Sequence, residues 1–171
     1  PSHRPGGPFR GAKYSILEAG TRMPLLVRWP GRVKPGVSAA LVSQVDLAAS
    51  LAALAGVLVP DGAAADSVNV LPALLGDRTT GRDHVVVQGT RGLALREGRW
   101  KLIPPGHGEI KDGLDAIHQT REEAGPTGLL FDLAADPAER SDLAAREPAR
   151  VAAMAKRLEQ VRAAPAATAP R

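Results

Sequence analysis

No cysteine occurs among the 171 residues, which excludes a disulfide framework, a thiolate metal site and a Cys nucleophile. Aromatic residues are nearly as scarce, at 3%. A core built instead from Ala, Leu and Val buries less area per side chain, because aromatics carry the largest apolar payload. No apolar run approaches the ~20 residues that a membrane-spanning helix needs. An initiator Met and a signal peptide are also missing. Starting at Pro1, the sequence reads as one that begins inside something longer.

What is present is ordinary for a globular protein, with 44% hydrophobic and 23% charged residues. The formal net charge is +4 and the pI is about 10.0. The basic residues are mostly Arg, spread along the chain and mixed with Asp and Glu. Nucleic-acid binders cluster such charges on one face and add aromatic platforms. The charge therefore reads as solvated surface, with anion binding kept for the N-terminal stretch and no nucleic-acid partner expected.

Residues 1–12 (PSHRPGGPFRGA) are rich in Pro and Gly and lack an apolar period, which predicts a loop. Residues 23–29 (MPLLVRW), closed by Pro30-Gly31, predict a buried strand of a parallel or mixed sheet. Residues 43–55 place Val45, Leu47, Ala48, Leu51, Ala52, Leu54 and Ala55 on a helical face. Ser43 is the expected N-cap of that helix and Gly56 its stop. A short helix over 70–75 follows. After Thr80 the character turns to β: 84–88 (HVVVQ) and 92–103 (GLALREGRWKLI), the latter folding at Arg96-Glu97-Gly98-Arg99 into a hairpin. Residues 104–128 read as a long surface loop and 129–133 (LLFDL) as a third strand. Residues 148–161, with Val151, Met154, Ala155, Leu158 and Val161 in register, read as an amphipathic helix. An Ala/Pro-rich disordered tail follows over 163–171.

The stretch 7–36 (GPFRGAKYSILEAGTRMPLLVRWPGRVKPG) resembles the segment that follows the second metal-binding motif in sulfatases of the arylsulfatase A type. The matching positions are Lys13, Glu18, Ala19-Gly20, Arg22, Pro24 and Trp29-Pro30-Gly31. Three further stretches match in the family's order. They are 42–56 (VSQVDLAASLAALAG), 66–77 (DSVNVLPALLGD) and 130–144 (LFDLAADPAERSDLA). The last is similar to the family's Leu-Tyr-Asp-Leu-x-x-Asp-Pro-x-Glu-x-x-Asn-Leu signature. Departures are Ala19 for Gly, Ala49-Ser50 for Pro-Thr and Ser67 for Gly, which loosen the subfamily but not the family.

The resemblance implies an α+β fragment: the trailing edge of an alkaline-phosphatase-like α/β domain, expected over 1–80. A small C-terminal antiparallel sheet with a packed helix is expected over 81–162. It also implies a sulfuric ester hydrolase that uses formylglycine and Ca2+, or Mg2+, on a sulfated small molecule or sulfated glycan. The Cys/Ser-x-Pro-x-Arg motif that yields formylglycine does not occur here. Nor do the paired Asp and the Asp-Asn or Asp-His pair that hold the cation. No metal ligand is therefore expected in this chain, which alone is expected to be inactive.

By the resemblance Lys13 is the catalytic residue, contacting the sulfate and assisting the leaving oxygen; an ammonium suits that role as a compact charge with three donors. His3 is a candidate for substrate binding or proton donation, since imidazole titrates near neutrality. Arg4 and Arg10 share its loop and read as solvated cations. Glu18 and Arg22 are expected to pair and orient the Lys13 loop, and Asp46 to serve as a structural acceptor or cap. His84, His107 and His118 lack metal-ligand spacing. Asp132, Asp136 and Glu139 are expected to shape the turn into the last helix, and Trp100 to anchor the core beneath the hairpin. Two other readings stand beside the sulfatase: a related phosphoester or phosphonate hydrolase, and a non-catalytic module binding acidic polysaccharide or a partner.

Overall fold

The computed structural model describes residues 6–89, 92–106 and 125–164. The chain forms two compact units, Pro1–Met23 with Val86–Val161 and Pro24–Val85 with Arg162–Arg171.

The first unit is built on a four-stranded sheet, β1 (His84–Gly89), β2 (Gly92–Glu97), β3 (Trp100–Ile103) and β4 (Leu129–Asp132), in that spatial order. β2 and β3 form the expected hairpin, in which Glu97 pairs with Trp100 across a two-residue turn. Gly98 takes the turn position at φ 54, open to glycine without steric cost. β4 runs antiparallel to β3, with Lys101 opposite Phe131 and Ile103 opposite Leu129. The far edge of β4 is covered by the chain itself: Leu143 N–H donates to the Leu130 carbonyl and Leu130 N–H to the Asp142 carboxylate.

Because side chains alternate along a strand, the sheet has two faces and both are covered. On one, Leu95, Leu102 and Leu130 meet Met154 and Leu158 of helix α4 (Pro148–Ala163). The expected amphipathic face of that helix is the one that packs, with Val151 and Ala155 joining from its margin. Trp100 also lies at this margin, half-buried, its ring carrying the Arg150 guanidinium 4.2 Å from the centroid. On the other face, Ala94, Ile103, Leu129 and Phe131 meet Ile16 and Leu17, just before the short helix α1 (Glu18–Thr21). The segment around Ile16 and Leu17 is therefore a layer of the sheet unit, held there by apolar contact. Burial on both faces explains why β4 opens with the apolar run Leu129–Phe131.

The second unit contains helix α2 (Asp46–Leu54) and the short α3 (Leu71–Leu74). Two expectations are corrected here. Residues 23–29 are extended but are not a buried strand: Leu26 is 94% exposed, and Met23, Leu25, Val27 and Trp29 are also exposed. A sheet-centre strand requires neighbours for its backbone and both its faces, and the described residues bring none to this segment.

Helix α2 is likewise turned about. Its buried residues are Asp46 and Ser50, while Val45, Leu51 and Leu54 face outward. The polar side is inward because it satisfies loop amides. Asp46 accepts from Ser43 and Val68 N–H and from Arg82, and the Ser50 hydroxyl accepts from Val70 N–H. Asp46 is thus the structural acceptor expected, whereas Ser43 makes no side-chain cap. Gly56 at φ 68 closes the helix as predicted.

Candidate functional site

Lys13 sits at the tip of a tight turn closed by Ser15 N–H donating to the Ala12 carbonyl at 2.9 Å. The next residue, Tyr14, has φ 75, a left-handed conformation that costs a non-glycine residue about 1 kcal/mol or more. Both side chains are exposed, and the Lys13 Nζ lies 4.8 Å from the centre of the Tyr14 ring. The turn is packed from behind. A Cβ on Gly20 would stand 2.2 Å from the Ser15 carbonyl oxygen and 2.5 Å from that of Ala12. Only glycine lets α1 come this close, so the small-residue pair Ala19-Gly20 has a steric reason.

The Lys13 turn belongs to a larger loop over 10–19. Its neck is closed by Ala19 N–H donating to the Arg10 carbonyl at 2.9 Å. Below the neck lies a buried charge network. Glu18, 2% exposed, places one carboxylate oxygen 3.1 Å from Lys101 Nζ; the other oxygen lies 2.7 Å from Arg22 Nε and 3.3 Å from Arg96. Lys101 is fully buried and lies 2.8 Å from the Glu139 carboxylate, itself fully buried. The other oxygen of Glu139 accepts the Glu18 backbone N–H at 2.6 Å. The Glu139 carbonyl accepts the Arg10 guanidinium.

Burial alone would push the Glu18 carboxyl up, but Lys101, Arg22 and Arg96 outweigh it and hold the group below the usual glutamate range. Glu139 is pushed up, because burial there exceeds the pull of Lys101 and of the Glu18 N–H. The expected Glu18–Arg22 pair is present, with Arg22 also stacked 4.2 Å over the Phe9 ring.

The expected turn-shaping role holds for two of three carboxylates. Asp132 accepts Ala134 N–H, and Asp136 accepts the N–H groups of Arg140 and Ser141. Glu139 instead turns inward to Lys101, at φ 54. Arg10 is tied to Glu139 rather than simply solvated. His3, Arg4, His107 and His118 lie outside the described residues, as do 107–124 of the expected surface loop and the tail from 165. His84 opens β1 away from this cluster in sequence, and its carbonyl accepts Arg82 Nε at 3.1 Å.

The unanticipated members are Lys101 and Glu139. Their one signal is the lysine inside the strand WKLI. Strand alternation puts Lys101 on the face of Ile103, where a cation requires an acidic partner. Nothing in the spacing says that Glu18 or Glu139 supplies it.

Among the described residues no three His, Asp or Glu side chains are grouped to hold a metal ion. The two buried carboxylates are committed to Lys101 and the arginines, so they do not fit a cation site. What the arrangement offers is an exposed ammonium on a turn with a rigid base, suited to an anionic group.

The sequence family described as N-sulphoglucosamine sulphohydrolase, C-terminal, matches residues 12–88. An N-acetylgalactosamine-6-O-sulfatase of Bacteroides thetaiotaomicron is 42% identical over 163 residues, covering 94% of this chain and 31% of that protein. Arylsulfatase A of Bos taurus is 35% identical over 147 residues, covering 80% of this chain and 29% of its own length. A solved structure described under the metabolism of multiple glycosaminoglycans by Bacteroides thetaiotaomicron superposes with a TM-score of 0.81 at 41% identity. It is matched over 94% of this chain and 33% of that one. The PsFucS1 sulfatase from Pseudoalteromonas sp. shares the fold, with a TM-score of 0.73 at 21% identity over 91% of this chain and 32% of its own.

Over nearly its whole length the chain is similar to the C-terminal part of sulfatases. It spans about a third of the length of the relatives it matches.

Proposed function

We propose that this chain forms the C-terminal part of a hydrolase that cleaves sulfate esters on a sugar, with Lys13 as the cation that meets the sulfate. The observation that carries this reading is the placement of Lys13. It is exposed at the tip of a strained turn whose base is fixed to a folded sheet. A flexible surface lysine has no need of a left-handed tyrosine beside it or of a glycine beneath it.

As the ester bond breaks, negative charge builds on the sulfate and leaving oxygens. A preorganised ammonium stabilises that charge more than it stabilises the ground state. The sugar, rather than another alcohol, is suggested by the 42%-identical relative named as an N-acetylgalactosamine-6-O-sulfatase. In this reading the formylglycine nucleophile and the calcium or magnesium ion belong to residues outside this chain, as does the rest of the substrate pocket. His3, in the same N-terminal stretch, is the second candidate to touch substrate.

The test is turnover of 6-sulfated N-acetylgalactosamine by the complete sulfatase polypeptide that carries this chain. Lys13→Ala should lower kcat by about 10²- to 10³-fold, the range for loss of one charge-stabilising donor, and Lys13→Arg should recover part of it. Unchanged turnover in Lys13→Ala would remove Lys13 from the chemistry.

A further inference from the structure

We infer that Glu139 is a positioning residue for the Lys13 loop, clamping both sides of the loop's neck while buried Lys101 fixes the clamp. The inference rests on the proposed role of Lys13 and adds how that side chain is held in place.

Three observations converge on Glu139. Its carbonyl accepts the Arg10 guanidinium, on the incoming side of the neck. Its carboxylate accepts the backbone N–H of Glu18 at 2.6 Å, on the outgoing side. Between these two grips Ala19 N–H donates to the Arg10 carbonyl, so one residue of the β4–α4 connection holds the loop where its two ends meet. Neither grip involves the tip that carries Lys13.

The conformation of Glu139 points the same way. At φ 54, a corner that only had to change direction would be served by Gly or Asn, which reach the left-handed region at less cost. A glutamate there accepts that strain and full burial together. Replacing a buried ionic cluster by apolar residues is often neutral for stability, so such a cluster is weak evidence of a stabilising role. Its directional bonds do what apolar contacts do not: they fix the loop at a defined place on the sheet. Lys101 supplies the counter-charge, 2.8 Å from Glu139 and 3.1 Å from Glu18. Arg96, paired opposite Lys101 in the hairpin, reaches the same Glu18 carboxylate. The clamp therefore runs from the loop neck into the middle of the hairpin.

The experiment is a double-mutant cycle in the complete sulfatase polypeptide, with 4-nitrophenyl sulfate as the probe. The four proteins are the parent, Glu139→Ala, Lys13→Ala and the double variant. Misplacing a catalytic group by about 1 Å costs on the order of 10²-fold, so Glu139→Ala should lower kcat about 10- to 100-fold. In the Lys13→Ala background the same change should cost nothing further, because the side chain to be positioned is gone. Equal losses in both backgrounds would overturn the inference, leaving Glu139 as a general support of the fold.

A harmless Lys13→Ala would overturn it differently, by removing the proposed role of Lys13; the single variant alone reveals that case. If Glu139→Ala does not fold, Arg10→Ala opens one grip only and enters the same cycle. Amide exchange at Ala19 then reads the neck directly. Protection unchanged from the parent in Arg10→Ala would also refute the clamp.

Discussion

Replacing Lys101 with Met keeps the length and most of the volume of the side chain but removes a cation that touches both buried carboxylates. Lys101 is fully buried, as is Glu139, and Glu18 is 2% exposed. Glu18 retains Arg22 and Arg96 after the change. Glu139 retains the Glu18 N–H and loses its ion pair with Lys101. Breaking a buried pair from one side costs about 3–5 kcal/mol, because an uncompensated charge stays inside. With a urea slope of about 2 kcal/mol per molar, the unfolding midpoint of the sheet unit should fall by about 1.5–2.5 M.

Part of that cost is avoided when Glu139 takes up a proton, so the loss should be smaller at pH 5 than at pH 8. The assay is urea unfolding of parent and Lys101→Met, followed by far-ultraviolet circular dichroism at both pH values. A shift of less than about 0.5 kcal/mol at pH 8, the scale of an ordinary surface substitution, would refute the burial of Lys101 between the two carboxylates.

Other positions give independent tests. Gly20→Ala should cost about 1–3 kcal/mol by overpacking, since its Cβ would stand 2.2 Å from the Ser15 carbonyl oxygen; a melting temperature equal to the parent's would deny the close approach of α1 to the Lys13 turn. Asp46→Ala should destabilise the second unit by about 3 kcal/mol, because it removes the partly buried Arg82 ion pair and leaves two loop amides without their acceptor. Hydrogen exchange at Ser43 and Val68 reads that loss directly. Leu26 and Leu58, 94% and 92% exposed, can be changed together to Ser with less than about 0.5 kcal/mol effect on stability each; a larger loss in urea unfolding would deny their exposure.

The elements of the sheet unit were legible because each has a local cause. The hairpin at Gly98, the apolar run of β4 and the period of α4 follow from turn chemistry, burial on two faces and a 3.6-residue repeat. The second unit was legible in position but not in orientation. The apolar content of 23–29 and of α2 was expected to be buried, yet it faces outward here. In this unit the inward places go to Asp46 and Ser50, which must satisfy loop amides. Periodicity reports that a face is apolar and does not report what covers it.

The site divides in the same way. The Glu18–Arg22 pair could be found because its two members lie one helical turn apart in the sequence. Lys101 and Glu139 reach Glu18 only after β3 has paired with β4 and the chain has turned back at Asp136. Their distances in sequence from Glu18, 83 and 121 positions, carry no periodic signal.

The two carboxylates of the clamp should also give the fold a pH dependence of opposite sign at each. Glu18 is held below the ordinary value of 4.5, so it contributes stability above that value, lost as pH falls through its lowered pKa. Glu139 is pushed above 4.5 by burial. From 4.5 up to its own pKa the folded state binds more protons there than the unfolded chain, and stability declines as pH rises through that window. The network therefore contributes most near pH 4.5 and less on either side. Glu139→Gln removes only the upper limb while keeping a side-chain oxygen for the Glu18 N–H. Its cost relative to the parent should then narrow as the pH is raised from 4.5 to 8 in urea unfolding. A gap that widens over this range would mean that the charge of Lys101 outweighs burial at Glu139.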